Sequence, residues 1–127
     1  MKQAILTACI VLTVFPAKAA NWFYVTESSV ASNYIDTQSI RIEGERRRVW
    51  QMSDRKVNGT NGSRSSRSLV EYDCKEARSR FLQGVNFTGQ EASGNIVSMT
   101  NEASQWSYVD PGTTGELLFQ AACKFVP

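Results

Sequence analysis

The sequence predicts an α+β domain: a curved antiparallel sheet of about six strands with one C-terminal helix packed on its concave face and tethered to it by a disulfide. Three observations point there. Short stretches rich in β-branched and aromatic residues recur between turn signals from Trp22 to Val109. The run from Trp106 to Cys123, WSYVDPGTTGELLFQAAC, reads as a strand end, a Pro-Gly turn and one capped helix. Once an N-terminal leader is set aside, the remaining cysteines are a single pair, Cys74 and Cys123.

The leader comes first. Lys2 gives a positive start, Ala4 to Phe15 is an apolar run too short to span a bilayer, and Ala17-Lys18-Ala19 is a small-x-small cleavage pattern. Residues 1–19 are therefore expected to be a secretory signal peptide and residues 20–127 the exported domain. Leu6-Thr7-Ala8-Cys9 matches the short box before a lipidated cysteine, but the apolar run continues well past Cys9, as it does in a signal core.

The strands follow in order. Trp22 to Thr26 has strand propensity, and Asn33 to Asp36 is short and extended. Thr37 to Ser39 is a turn, Ile40 to Ile42 alternates as a half-buried strand, and Gly44 ends it. Arg46 to Ser53 is another strand, with Arg46, Arg48, Trp50 and Met52 on one face and Arg47, Val49 and Gln51 on the other. Val57 to Ser66 holds two Asn-Gly pairs and reads as a longer loop rather than a two-residue hairpin. Arg67 to Cys74 alternates. Residues 75–88 mix helix formers with Gly84, Val85 and Phe87, and are read as a strand with a bulge near Gly84. Gly89 to Gly94 turns, Asn95 to Thr100 is a strand, and Gln105 to Val109 is a short last one.

The helix has its own signals. Thr113-Thr114-Gly115-Glu116 has capping-box spacing, Lys124 suits the C-terminal end of the dipole, and Pro127 cannot extend it. Glu116, Gln120 and Lys124 form one narrow polar stripe and the rest is mostly apolar, so the helix is expected to nest in the sheet.

Lys2 and Lys18 leave with the leader, and residues 20–127 then carry 12 basic and 12 acidic side chains. Broad attraction to nucleic acid or acidic membranes is not implied. In an exported chain, Cys74 and Cys123 read as a disulfide closing a loop of about 50 residues, worth on the order of 4 kcal/mol. Two free buried thiols are the alternative.

Order and spacing then add up to a resemblance. Trp22, Tyr34-Ile-Asp36, Val49-Trp50, Tyr72-Asp-Cys-Lys75 with Arg78 and Arg80, and Trp106-x-x-Val109-x-Pro111-Gly112-Thr113 leading into a helix that ends in Cys123 together resemble the surface-adhesin protein E family of Gram-negative bacteria. The resemblance spans the whole exported part. It implies an antiparallel sheet with a disulfide-tethered helix, binding to host extracellular proteins such as matrix or serum proteins, and a capacity to form homodimers. Two features depart from the family pattern: Thr113 stands where serine is more usual, and the family adhesin's lipid anchor has no convincing counterpart here. The matching residues are structural in type, so they transfer fold better than function.

The chemistry is mostly absent. With no histidine anywhere, the usual general base, the Ser/His and Cys/His nucleophile pairs and the commonest metal ligand are missing. Asn58 to Gly62 lacks the lysine and following helix of a phosphate loop. Glu71 and Asp73 share a strand face and imitate a glycosidase carboxylate pair, but Arg78 and Arg80 favour solvated salt bridges. No enzyme, cofactor or metal is expected.

Arg41, Arg46, Arg47, Arg48, Arg55 and Lys56 are the densest basic stretch and the candidate binding patch, for an acidic protein surface or a glycosaminoglycan. The structural alternative is an edge strand blunted with charge. Trp22, Trp50 and Trp106 are read as core anchors rather than binding aromatics. The leading expectation is a protein-binding module that is secreted, periplasmic or on the outer-membrane surface. A periplasmic structural or inhibitory protein and a carrier of a small apolar ligand are the alternatives.

Overall fold

A computed structural model describes residues 3–5, 7–11 and 19–125. Lys2, Leu6, the Ala17-Lys18 part of the expected cleavage site and Pro127 lie outside the described residues. The chain forms β1 (Trp22–Glu27), β2 (Ala31–Asp36), β3 (Arg41–Glu43), β4 (Arg46–Arg55), β5 (Ser65–Asp73), β6 (Arg78–Phe87), β7 (Ile96–Thr100), β8 (Ser107–Tyr108) and α1 (Thr114–Lys124). All pairings are antiparallel, in the order β1-β2-β4-β5-β6-β7.

The sheet has eight strands, not about six. The two extra pieces are β3 and β8, only three and two residues long, which finish edges left free by longer neighbours. β2 pairs with Gln51–Arg55 of β4, and β3 takes over at Arg46–Arg48. β7 pairs with Gly84–Phe87 of β6, and β8 pairs with Arg78 and Ser79. Such short pieces bury too little to leave a sequence pattern of their own.

Local chemistry sets the boundaries. Ser28 Oγ accepts from the Val30 and Ala31 amides, so β2 starts at Ala31 rather than Asn33. The 57–64 loop is long, as expected, and Arg64 pins it by donating Nε to Arg55 O at 2.8 Å and Nη2 to Lys56 O at 3.3 Å. Leu69 faces Gln83 whereas Val70 faces Phe81, so Leu82 is the extra residue of a bulge two positions from the expected Gly84. Bulges bend and twist a strand, here in the middle of the sheet.

One face of the sheet carries the core: Ile35, Val49, Val70 and Tyr72 pack against Leu118 and Ala122 of α1. Burying each of the larger apolar side chains contributes about 2 kcal/mol. The helix starts as the sequence predicts, with Thr113 Oγ1 accepting from the Glu116 amide at 3.2 Å, a cap worth about 1 kcal/mol. The return arm of the box differs: Glu116 Oε1 accepts from the Gly112 amide, not that of Thr113. The helix is also less nested than its composition predicts. Only Leu118 and Ala122 are buried, and Leu117 is 43% exposed.

Cys74, just beyond β5, is bonded to Cys123 near the end of α1, with a Cα–Cα distance of 5.8 Å. The bridge fastens the helix over its sheet face, as the cysteine count predicts.

An arginine–tryptophan face as candidate functional site

Strand alternation sends every second side chain away from the helix. On β4 those are Arg46, Arg48 and Trp50, because Val49 points to the core. On β5 they are Leu69, Glu71 and Asp73, and on β6 Arg78 and Arg80. The register then assembles two rows across the open face. Arg41, Arg48, Glu71 and Arg80 form one, and Arg46, Asp73 and Arg78 the other.

Glu71 is the anchor of the first row. It is 1% exposed, and its two oxygens are taken by different arginines. Arg48 Nε donates to Oε2 at 2.7 Å, and Arg80 reaches Oε1 with Nε at 3.0 Å and Nη2 at 2.8 Å. Burial works against the Glu71 charge, but the bonds from Arg48 and Arg80 outweigh it and hold the carboxyl below the ordinary range. In the second row, Asp73 accepts from the amides of Glu76 and Lys75 through Oδ1 and from Arg78 Nε through Oδ2 at 3.1 Å. The Glu76 amide and then Arg78 hold its carboxyl low against a desolvation cost. The expected salt bridges to Arg78 and Arg80 form, but the carboxylates that accept them are buried rather than solvated. A glycosidase acid needs a raised pKa, and both of these are lowered.

Trp106 lies over this network. The guanidinium carbons of Arg78, Arg80 and Arg46 are 4.6, 4.7 and 5.3 Å from its ring centre. Ser104 holds the segment in place: its amide donates to Phe81 O at 2.8 Å, and its Oγ accepts from the Phe81 amide at 3.0 Å. Trp50 sits further along the same face with Arg67 5.0 Å from its ring centre. None of the three tryptophans belongs to the core cluster; all are half-buried. The core-anchor reading is thus corrected. The rings pack on cations at the surface, where each contact is worth about 0.5–2 kcal/mol.

The candidate basic stretch is divided by the fold. Arg41, Arg46 and Arg48 share the open face. Arg47 turns toward the helix side, where Nη1 donates to Gly44 O at 2.8 Å and Arg46 O at 3.0 Å, and its Nε is buried without a partner. Arg55 and Lys56 lie at the far end of β4, roughly 30 Å away at strand spacing. There Arg55 Nε bonds Val57 O and Lys56 Nζ pairs with Glu27 at 2.9 Å. The edge-strand alternative also needs correcting: β4 is flanked by β5 on one side and by β2 and β3 on the other.

The sequence alone does not join Arg78, Arg80 and Trp106 to Arg46 and Arg48. Its usable signal was the matched spacing Glu71-x-Asp73 and Arg78-x-Arg80, which a hairpin folds onto one face.

Three clefts accompany these features. One of about 390 Å³ lies on the open face among Gln38, Arg41, Arg48, Trp50, Leu69 and Gln83. A second, about 320 Å³, lies beyond Trp50 between Trp22, Asp36 and Arg67. The third, about 410 Å³, is on the helix side and is lined by Val70, Tyr72, Phe81, Tyr108 and Leu118. There Tyr72 donates its hydroxyl to Gln51 Oε1 at 2.6 Å, and burial pushes the phenol pKa up. Among the described residues there is no cluster of three or more metal-ligating side chains, and no helix is long and apolar enough to cross a membrane.

An open antiparallel sheet, one disulfide-fastened helix and an open face of stacked arginine and tryptophan define a small α+β class of domain. The chain belongs to the surface-adhesin protein E family, whose model matches residues 22–124. Membership makes it an adhesin-type protein, exported or surface-exposed. Its fold is similar to that of Haemophilus influenzae protein E in crystal form II, with a TM-score of 0.63, 14% identity, and coverage of 89% of this chain and 96% of that one. A second structure of Haemophilus influenzae protein E gives 0.61 at 15% identity, covering 88% and 90%. Protein E from non-typeable Haemophilus influenzae gives 0.55 at 15%, covering 87% and 80%. At these identities the likeness is one of fold. No curated protein matches the sequence.

Proposed function

We propose that residues 20–127, released from a signal peptide at 1–19, act as an envelope-displayed module that binds extracellular proteins through the open face. The observation that carries this reading is the arginine–tryptophan network. Buried Glu71 and Asp73 fix Arg48, Arg80 and Arg78, so that part of the face is ordered before any partner arrives and loses little side-chain entropy on binding. Arginine and tryptophan are also the side chains over-represented among residues that dominate binding energy. Membership of an adhesin family supports the same reading, and host extracellular proteins are the partners it suggests. Homodimers would offer this face twice.

Brief protease treatment of intact cells should remove the protein; full protection would instead place it in the periplasm, as a structural or inhibitory protein. Partner capture should then weaken in a chain carrying Arg41→Glu and Arg46→Gln, while the thermal midpoint changes little. A block reversal of Arg46 to Arg48 is a poorer choice, because Arg47 caps backbone carbonyls and Arg48 holds Glu71.

A second reading rests on the helix-side cleft, whose Val70, Phe81 and Leu118 suit a small apolar ligand. Native mass spectrometry of protein purified from its own cells should then show added mass.

A further inference from the structure

We propose that the open-face cleft beside Trp50 binds a pyranose unit that carries a carboxylate, within an acidic glycan. This inference does not rest on the protein-binding reading. It starts from what the cleft residues lack. Arg48 spends only Nε on Glu71, and among the described residues its terminal nitrogens donate to no acceptor. Arg41, directly across from Arg48 in the β3–β4 register, makes no side-chain hydrogen bond or ion pair among the described residues. Two guanidinium groups thus flank one cleft with donors to spare, and no carboxylate lines it. A guanidinium fork matches a ligand carboxylate geometrically, and the charge strengthens each bond.

The other walls select the rest of the ligand. Trp50 lines both open-face clefts, and Arg67 covers one face of its ring. The other flat apolar face suits the C–H face of a sugar ring. Gln38 and Gln83 bring amides whose side chains make no hydrogen bonds among the described residues. Each offers a donor and an acceptor, the pairing that neighbouring hydroxyls require. A bare phosphate group would use the arginines but neither the ring nor the amides. The volume of about 390 Å³ falls in the range of small-ligand clefts, about 300–1,000 Å³. Beyond Trp50 the second cleft, with Trp22 and Arg67, gives a further sugar unit somewhere to lie.

The position is also well supported. Ser39 Oγ donates to Asp36 O at 2.8 Å and accepts from the Trp50 amide at 3.0 Å, which fixes the turn that forms one wall. Buried Glu71 holds Arg48 in a single orientation from below.

The test uses the domain with its disulfide intact and three probes: a hyaluronan tetrasaccharide (uronic acid), sialyllactose (sialic acid) and lactose as the neutral control. Binding is followed by the indole N–H resonance of Trp50, assigned with Trp50→Phe. At least one carboxylated probe should shift that resonance and bind at least tenfold more tightly than lactose. Which one does so identifies the source of the sugar. Arg41→Gln, at an exposed position, should weaken that binding roughly tenfold, the loss of one charge-assisted contact. Lys56→Gln at the far end of β4 should leave it unchanged. The proposal is overturned if lactose binds as well as the acidic probes, or if none of them moves Trp50. It is also overturned if Arg41→Gln binds normally, or if a phosphopeptide displaces the sugar at equal concentration.

Discussion

Replacing both Cys74 and Cys123 with alanine should cost this domain about 4 kcal/mol. The bond spans a sequence separation of 49 residues. In the chain-entropy treatment, a loop of that length removes about 14 cal/mol/K from the unfolded ensemble, or about 4 kcal/mol at 25 °C. A domain of about a hundred residues loses roughly 4–8 °C of melting temperature per kcal/mol, so the midpoint should fall by about 20 °C. Circular dichroism melts of the double alanine variant, and of the native protein with reductant, measure this directly. The two should agree, and the unfolding should stay a single transition. A drop of less than about 5 °C in both would refute the reasoning. So would a helical signal at 222 nm that is lost well before the sheet signal. That result would mean the bond holds α1 locally, where only Leu118 and Ala122 are buried, rather than constraining the whole unfolded chain.

The buried carboxylate makes a pH prediction. Glu71 is held below the ordinary carboxylate range, so its contribution is present above the unfolded chain's carboxylate pKa and is lost as pH falls through the lower folded-state value. Asp73 acts in the same direction. Glu71→Gln should lose about 2 kcal/mol near neutral pH, less than a fully buried pair would, because the side chains of Arg48 and Arg80 are 44% and 27% exposed and can hydrate. Its stability should also fall less than the native protein's below pH 4.5; parallel curves from urea unfolding across that range would contradict the assignment. Gly84→Ala would place a methyl group 2.8 Å from two carbons of the Phe81 ring. It should cost about 1–3 kcal/mol in urea unfolding, and Phe81→Leu in the same background should recover part of that. No loss in the single variant would mean that the ring moves freely.

Much of the fold was legible because it rests on local signals. Turn residues, alternation and the Thr113 cap located the long strands and the helix, and the cysteine count located the bond. What was not legible depended on register. Nothing in RRRVWQMS says that Arg48 will face Glu71 while Arg47 turns back to Gly44 O, because that needs the β4–β5 and β5–β6 pairings together. The tryptophans misled for a related reason. A large ring predicts burial, yet arginines from neighbouring strands cover Trp106 and Trp50 without drawing them into the core. The basic run looked continuous in sequence, but a strand of ten residues carries its two ends far apart in space.

The placement of α1 constrains the order of assembly. The main strands pair almost entirely with their sequence neighbours, so the sheet can grow hairpin by hairpin as the chain emerges from an export channel. The helix is different. It follows every strand in chain order, yet it closes onto Ile35 of the second strand as well as Val49 and Val70, and its cysteine must find one synthesised 49 residues earlier. Until then Cys74 has no partner and the apolar side of the sheet stands uncovered. Newly exported chains are therefore most vulnerable to aggregation and mispairing just before α1 arrives, a window that a thiol oxidase or holding chaperone in the receiving compartment is suited to guard.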